Sequence, residues 1–112
     1  MKDNKIIAEF MGLETETFNS GIVNYYHQDI GEVIAVFEEH ELSYNVSWDW
    51  LMPVVEKIES LRDANGNAYR FTIDMCNAQI EGTHIEILGG AFKIDTTYDA
   101  VVQFINQYNK TI

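Results

Sequence analysis

The chain has 112 residues, the usual size of one domain, and its 46% hydrophobic and 22% charged residues are typical of a folded globular protein rather than a disordered one. Seven lysine or arginine residues against eighteen aspartate or glutamate residues give a net charge of −11. This charge repels phosphate backbones and anionic membrane surfaces, so we expect no direct nucleic-acid binding. The single cysteine, Cys76, excludes an intramolecular disulfide and a zinc site built on paired thiols.

The N-terminal stretch MKDNKIIAEFMG is interrupted by Glu9 and lacks the long apolar run of a signal peptide. No segment reaches the ~20 apolar residues that a membrane-spanning helix needs. Folding without disulfides suits a reducing compartment. We therefore expect a cytoplasmic protein with no membrane association, in which Cys76 is a small buried hydrophobe of a strand.

The chain opens with apolar residues at helical spacing. Ile6, Phe10 and Leu13 share one side, and Gly12 offers a stop, so the sequence predicts a first helix over residues 2–13. Residues 14–21 are mostly polar and predict a loop.

The run IVNYYH at residues 22–27 has the β-branched and aromatic content of a strand, and QDIG can turn the chain into EVIAVFEE. Residues 32–39 fit two structures. Val33, Val36 and Phe37 fit one face of a helix, whereas Val33, Ala35 and Phe37 fit one face of a strand. We favour the strand, which would make a β-hairpin.

The stretch VSWDWLMPVVEKIESL at residues 46–61 places its aliphatic side chains on one arc of a helical wheel. Ser47 or Asp49 can cap such a helix. Pro53 has no N–H to donate and is tolerated only near the helix start. The sequence therefore predicts a helix that begins close to Asp49 or Trp50.

The remaining elements are a strand meander and a helix. After a tight turn at Asn65-Gly66, the residues of YRFTID alternate between apolar and polar, and two more short strands follow with a turn at residues 81–83. DTTYDAVVQFINQYN predicts a final helix with an apolar stripe, capped by Thr96 and Asp99. The order of elements predicts one α+β domain over residues 1–112: an antiparallel sheet of four to five strands with three helices packed on one face.

No motif identifies an enzyme, a cofactor or a metal site. An isolated Gly-Gly pair is typical of a turn rather than of a nucleotide-binding loop. His27, His40 and His84 lie on separate segments. The run EEHE at residues 38–41 predicts a solvated surface, because adjacent positions of a helix or strand do not face one ion. We assign no catalytic, cofactor-binding or metal-binding residue, and the sequence leaves open whether the protein is an enzyme.

Two tryptophans flank the apolar stripe of the middle helix. Large rings at such positions complete a core, and tryptophans also anchor protein interfaces, so both interpretations stay open. With the aspartate between them and the nearby acidic run they make up the candidate interaction surface: Trp48, Asp49, Trp50, Glu38, Glu39 and Glu41.

Three segments carry a resemblance to known sequences: IAEFMG at residues 7–12, SWDWLMPVVEKIE at residues 47–59, and a closing helix of the pattern Tyr-x-Ala-Val-Val-x-Phe-Ile-x-x-Tyr-Asn at residues 98–109. They resemble a group of short proteins found in bacterial and phage genomes. The match is weak across residues 14–43, and Gln107 stands where the group often carries tryptophan. The resemblance implies a compact protein of a phage or mobile element, and it implies no activity or site residue.

Two functions fit these observations. The first is a non-enzymatic interaction protein, an accessory or counter-defence factor whose acidic surface binds a basic partner. The second is a small enzyme or ligand-binding domain with a pocket between the sheet and the Trp50 helix, and with His84, Tyr98 or Asp49 at its mouth. We favour the first, and homo-oligomerisation through the sheet or the tryptophan edge is left open.

Overall fold

The computed structural model describes residues 3–29, 32–74, 77–90 and 92–111. Within these ranges the chain forms three α-helices, six β-strands and one short 3₁₀ helix. The helices are α1 (Asn4–Phe10), α2 (Trp48–Ser60) and α3 (Lys93–Thr111), the strands are β1 (Glu14–Thr17), β2 (Val23–Asp29), β3 (Glu32–Glu38), β4 (Arg70–Asp74), β5 (Asn77–Glu81) and β6 (Glu86–Ile87), and the 3₁₀ helix is Glu39–Glu41.

The described strands form two antiparallel sheets, sheet 1 with the order β1-β2-β3 and sheet 2 with the order β4-β5-β6. The α+β class is confirmed, whereas the single sheet of four to five strands is not. Helix α2 explains the division into two sheets. It follows sheet 1 in the chain and packs against β4 and α3, so the strands after it form a separate sheet. Helix α3 packs on all three strands of sheet 2 and also contacts α1.

Strand β1 occupies part of the segment whose polar composition predicts a loop, and that prediction is wrong for residues 14–17. All four of its side chains are exposed. The strand is stabilised by main-chain pairing with β2, from Glu14 opposite Tyr26 to Thr17 opposite Val23. A strand that buries neither face has no alternation of apolar and polar residues, so its sequence carries no strand signal.

Strands β2 and β3 pair antiparallel, which confirms the hairpin and the strand interpretation of this segment. Tyr25 and Phe37 lie opposite each other on the core side, where Tyr25 is buried and Phe37 is partly buried. Val36 faces the other way and is 48% exposed. The connection at residues 30 and 31 lies outside the described residues.

Helix α2 begins at Trp48, next to the predicted start, and buries Leu51 and its aliphatic neighbours on one face. Ser47 is the N-cap residue, but its side chain makes no capping hydrogen bond. Its carbonyl oxygen instead accepts from the N–H groups of Trp50 (3.2 Å) and Leu51 (3.0 Å). Pro53 lies in the second turn, and Asp49 in the first turn suits the positive end of the helix dipole.

Helix α3 begins at Lys93, and the capping box predicted from Thr96 and Asp99 is therefore wrong. Thr96 and Thr97 are buried inside the first turns, where their hydroxyls donate to the Lys93 carbonyl oxygen at 3.0 and 2.9 Å. A threonine can form this back-bond within a helix as well as a cap, so the residue type does not identify the helix start. Among the described residues, no helix is both long and apolar enough to cross a membrane.

Sheet 2 confirms the predicted meander. In β4, Phe71 and Ile73 are partly buried while the residues between them are exposed, and β5 buries Ala78 and Ile80 in the same alternation. The turn after β5 contains Gly82 with a φ of 94°, a conformation that favours glycine. Cys76 lies outside the described residues.

The N-terminus of α1 is tied to two distant segments through Asn4, which is 5% exposed. Its Nδ2 donates to the Leu42 carbonyl oxygen and to Asn45 Oδ1, both at 2.8 Å. Its Oδ1 accepts from the Tyr98 hydroxyl at 2.9 Å, and that hydroxyl accepts from the Asp3 backbone N–H at 2.7 Å. One asparagine thus joins α1, the loop after the 3₁₀ helix and α3. We refer to this group as the Asn4 junction.

We expect Asn4→Ala to lower the free energy of unfolding by about 2–4 kcal/mol, because it leaves a buried carbonyl and a buried hydroxyl without their partner. Lys5→Ala, at an exposed position of the same helix, is the control and should stay within about 0.5 kcal/mol of the parent. Urea titration followed by circular dichroism measures both. Equal effects of the two substitutions would show that the junction adds no stability.

Three carboxylates lie around the same junction. Burial raises the pKa of Asp99, and the nearby Asp95 and Asp3 carboxylates raise it further. Burial also raises the pKa of the Tyr98 hydroxyl, which stays protonated and can donate to Asn4. Because the pKa of Asp99 is raised, its ionised form is disfavoured in the folded state. Ionisation of Asp99 therefore destabilises the folded state at pH values above the ordinary pKa of 3.8.

Asp99→Asn should therefore stabilise the protein at neutral pH, with a small increase in Tm of about 2 °C because the side chain is largely exposed and solvent screens the repulsion. The gain should shrink as the pH falls through the raised pKa of Asp99, since protonation removes the same charge from the parent. Thermal melts between neutral pH and pH ~3.5 test this. Glu56→Gln, an equal charge change at an exposed site of α2, is the control. A gain for Asp99→Asn that does not depend on pH would contradict the electrostatic cause.

Candidate interaction surface

The acidic run at residues 38–41 forms a compact turn built on reciprocal hydrogen bonds. The Glu38 N–H donates to Glu41 Oε1 at 2.9 Å, and the Glu38 carboxylate accepts from the Glu41 N–H in return. His40 Nδ1 lies 3.6 Å from Glu38 Oε2. Glu39 and Glu41 are exposed and Glu38 is partly buried, so the turn presents its carboxylates to solvent. We call residues 38–41 the acidic turn.

The acidic turn also places Glu38, His40 and Glu41 together, with one potential metal-ligand atom of each within 4.8 Å of the others. The expectation that these side chains could not face one ion holds for a regular helix or strand. It fails here because the residues form a 3₁₀ turn after an extended residue. The capping hydrogen bonds account for the arrangement, and two of the three side chains are exposed, as acidic groups commonly are without a bound ion.

Trp50 connects sheet 1 to α2 through aromatic contacts. Its ring packs edge-on against Phe37 of β3 at 4.8 Å and against Tyr44 at 5.1 Å between centroids. Burial raises the pKa of Tyr44 to about 12, so its hydroxyl stays neutral. Trp48 is likewise partly buried against the core. Both tryptophans therefore complete the core edge, and their use as interface anchors remains a prediction.

These contacts place the predicted surface residues in one region. Phe37 directly precedes the acidic turn, so its contact with Trp50 holds the turn near the start of α2, where Asp49 is exposed. An open cleft of about 690 Å³ adjoins the turn. Its lining combines both polar and apolar residues: Asn4, Glu39, His40, Leu42, Ser43, Asn45 and Val46.

The pocket expected beside the tryptophans is not among three clefts lined by described residues. Beyond the cleft at the acidic turn, one of about 230 Å³ is lined by His84 together with Tyr69 and Phe104, and another of about 230 Å³ lies between the acidic turn and the β1–β2 connection. None of the three has Trp48, Trp50, Asp49 or Tyr98 in its lining. His84 thus lines a cleft other than the one predicted for it, and the Tyr98 hydroxyl is used in the Asn4 junction.

The outward face of sheet 1 adds residues that sequence patterns did not single out. The register aligns Glu14, Tyr26 and Val36 in one row and Glu16, Asn24 and Glu38 in the next, on the face opposite Tyr25 and Phe37. The Tyr26 hydroxyl donates to Glu16 Oε2 at 2.7 Å, which fixes that carboxylate on the face and raises the pKa of Tyr26. Tyr26 and Val36 thus form an apolar strip, with the carboxylates of Glu16 and Glu38 in the row beside it.

The charges are divided unequally along the chain. Residues 6–56 contain ten acidic residues and no lysine or arginine, a charge of −10 out of the net −11, whereas the other 61 residues contain eight acidic and seven basic ones. Sheet 1, the acidic turn and the first turns of α2 all come from this acidic segment. The absence of lysine and arginine between Lys5 and Lys57 is the sequence signal for this surface. A count of basic residues over the whole chain does not reveal that absence.

Comparison with models of known protein families, with curated proteins and with solved structures finds no match to this chain.

If Trp50 holds sheet 1 against α2, Trp50→Ala should lower the free energy of unfolding by about 3 kcal/mol, because it removes a large ring and two edge-on aromatic contacts. Trp50→Phe should recover more than half of that loss. Met52→Ala, which truncates an exposed side chain two residues on, is the control. Denaturant titration measures all three, and a loss below about 0.5 kcal/mol for Trp50→Ala would show that sheet 1 is held by other contacts.

Proposed function

We propose that this protein is an acidic interaction module that binds a positively charged protein partner through the surface formed by residues 6–56. The observation that carries this proposal is the segment of 51 residues without a lysine or arginine, which folds into sheet 1, the acidic turn and the start of α2. In this proposal the protein is an accessory or counter-defence factor of a phage or mobile element and acts in the cytoplasm.

The charge distribution favours a protein partner over a simple solubility role. Net charge anywhere on the surface is enough for solubility. In this chain the charge is concentrated in residues 6–56, and residues 1–5 and 57–112 together are nearly neutral. Carboxylates concentrated on one part of a molecule produce a directed field, which accelerates encounter with a basic surface and makes binding sensitive to salt. No lysine or arginine of the described residues forms an ion pair with the acidic turn, so no such side chain neutralises the negative charge of the turn.

The apolar strip explains how such a surface can hold a basic side chain and not merely attract it. Lysine and arginine carry long aliphatic stems that pack on apolar groups while the charged end reaches a carboxylate. Tyr26 and Val36 offer the apolar surface, and Glu16 and Glu38 flank it in the next row. Hot spots of protein interfaces commonly combine an aromatic ring with charged groups in this way.

Binding of a short oligolysine peptide tests the proposal, with a peptide of glutamates as the negative control. At low salt (about 50 mM) we expect measurable affinity by fluorescence anisotropy, decreasing steeply toward about 300 mM as the charges are screened. The double variant Glu16→Gln, Glu39→Gln should weaken binding about three- to tenfold.

The double variant Glu81→Gln, Glu86→Gln is the matched control, because it makes the same change in net charge at exposed positions of sheet 2. It should weaken binding less than about twofold. If both double variants weaken binding equally, attraction depends on net charge alone and the proposed surface is wrong.

A further inference from the structure

Strand β1 presents an edge to which another strand can pair. The Phe18 N–H donates to the Ile22 carbonyl oxygen at 2.8 Å, and the register continues from there to Glu16 opposite Asn24. Hydrogen-bonded pairs alternate along an antiparallel ladder, so Thr15 and Thr17 belong to the non-hydrogen-bonded pairs. Their main-chain N–H and C=O groups therefore point away from β2.

The corresponding edge of sheet 2 is protected. There the N–H of Phe71 in β4 donates to Glu59 Oε2 at 3.2 Å, so an acidic side chain of α2 occupies a position that an added strand would need. Strand β6, at the other edge, has only two residues. No described residue has a hydrogen bond to the outward main-chain groups of Thr15 or Thr17. Exposed edges of this kind are templates for strand addition.

The charges beside this edge indicate the chemistry of the added strand. The Glu16 side chain lies on the outward face, held by the Tyr26 hydroxyl, while Thr15 and Thr17 lie on the other face. Opposite charges at neighbouring cross-strand positions stabilise a sheet, and like charges destabilise it. At the end of the β1–β2 hairpin, Phe18 and Ile22 are 41% and 45% exposed and offer an apolar contact.

We propose that β1 receives an extended segment of the partner as a fourth strand of sheet 1, with lysine or arginine at alternate positions facing Glu16 and the outward face. This inference rests on the proposed function, of which it specifies the binding mode and the partner chemistry. A second copy of this chain is a poor occupant, because antiparallel pairing of two β1 strands places glutamates of both copies on the same face.

Three synthetic peptides of equal length and net charge test the binding mode on the full chain. The first peptide alternates lysine with threonine or valine, and the second has the same composition with its lysines in one block. The third repeats the first but carries methyl groups on the alternate backbone nitrogens that would donate to β1. We expect the alternating peptide to bind about tenfold more tightly than the other two. The blocked peptide loses the charge spacing, and the methylated peptide loses the backbone donors.

Thr15→Pro probes the same contact from the protein side. It removes an N–H that points outward and leaves the pairing of β1 with β2 intact, as proline does at an edge strand. We expect it to weaken the alternating peptide about tenfold, and Thr15→Val, which keeps the N–H, to bind as the parent does. Amide hydrogen exchange gives a direct readout: Thr15 and Thr17 should exchange rapidly in the unbound protein and slowly with the alternating peptide.

The outcomes separate the two proposals. Binding of all three peptides with equal affinity, unaffected by Thr15→Pro and without protection of Thr15 and Thr17, would overturn strand addition while the acidic surface stands. No binding of any lysine peptide at low salt would overturn both. If Thr15→Pro changes the circular dichroism spectrum, the methylated peptide decides alone, because it leaves the protein unchanged.

Discussion

The fold depends on one buried asparagine that makes three hydrogen bonds to groups distant in the chain. Asn4 satisfies the Leu42 carbonyl and Asn45 Oδ1 with its two amide protons, and it accepts from the Tyr98 hydroxyl with its oxygen. A buried amide without partners would be strongly unfavourable, so the segments that carry these groups must arrive together. The junction thereby positions the loop after the acidic turn, which is why a residue of α1, outside sheet 1, helps to determine where the acidic surface lies.

Sheet 1 is joined to the rest of the molecule by side chains more than by its backbone. Tyr25 is buried beneath it, and Phe37 reaches Trp50, which in turn contacts Tyr44. Because these rings all lie on one face, the opposite face remains in solvent, and its carboxylates avoid the high cost of being buried without a cation. The aromatic contacts and the acidic surface are therefore two consequences of the same alternation along β2 and β3.

Sequence patterns predicted those elements that bury one face. The aliphatic stripes of α2 and α3, the alternation in β4 and the β2–β3 hairpin were all visible, since periodic burial leaves a periodic sequence. Strand β1 could not be predicted, because it is stabilised by backbone pairing and buries no side chain. The division into two sheets could not be predicted either, since it depends on where α2 packs, a contact between distant residues.

The candidate site shows the same limit. The acidic run and the tryptophans were found by composition, and the structure places them near each other through Phe37 and Trp50. Asn4 was missed, because nothing in the residues beside it indicates that its partners lie 38 to 94 positions away. The absence of basic residues between Lys5 and Lys57, in contrast, can be read from the sequence alone.

Concentrating charge on an exposed sheet has a physical consequence for the unbound protein. Carboxylates on neighbouring strands repel one another, and with no lysine or arginine in sheet 1 this repulsion is reduced only by solvent and salt. A cation that enters between them gains their attraction and also relieves their mutual repulsion. The same residues that weaken sheet 1 alone would stabilise it in a complex, so under the proposed function the stability of sheet 1 and its affinity for a basic partner are linked thermodynamically.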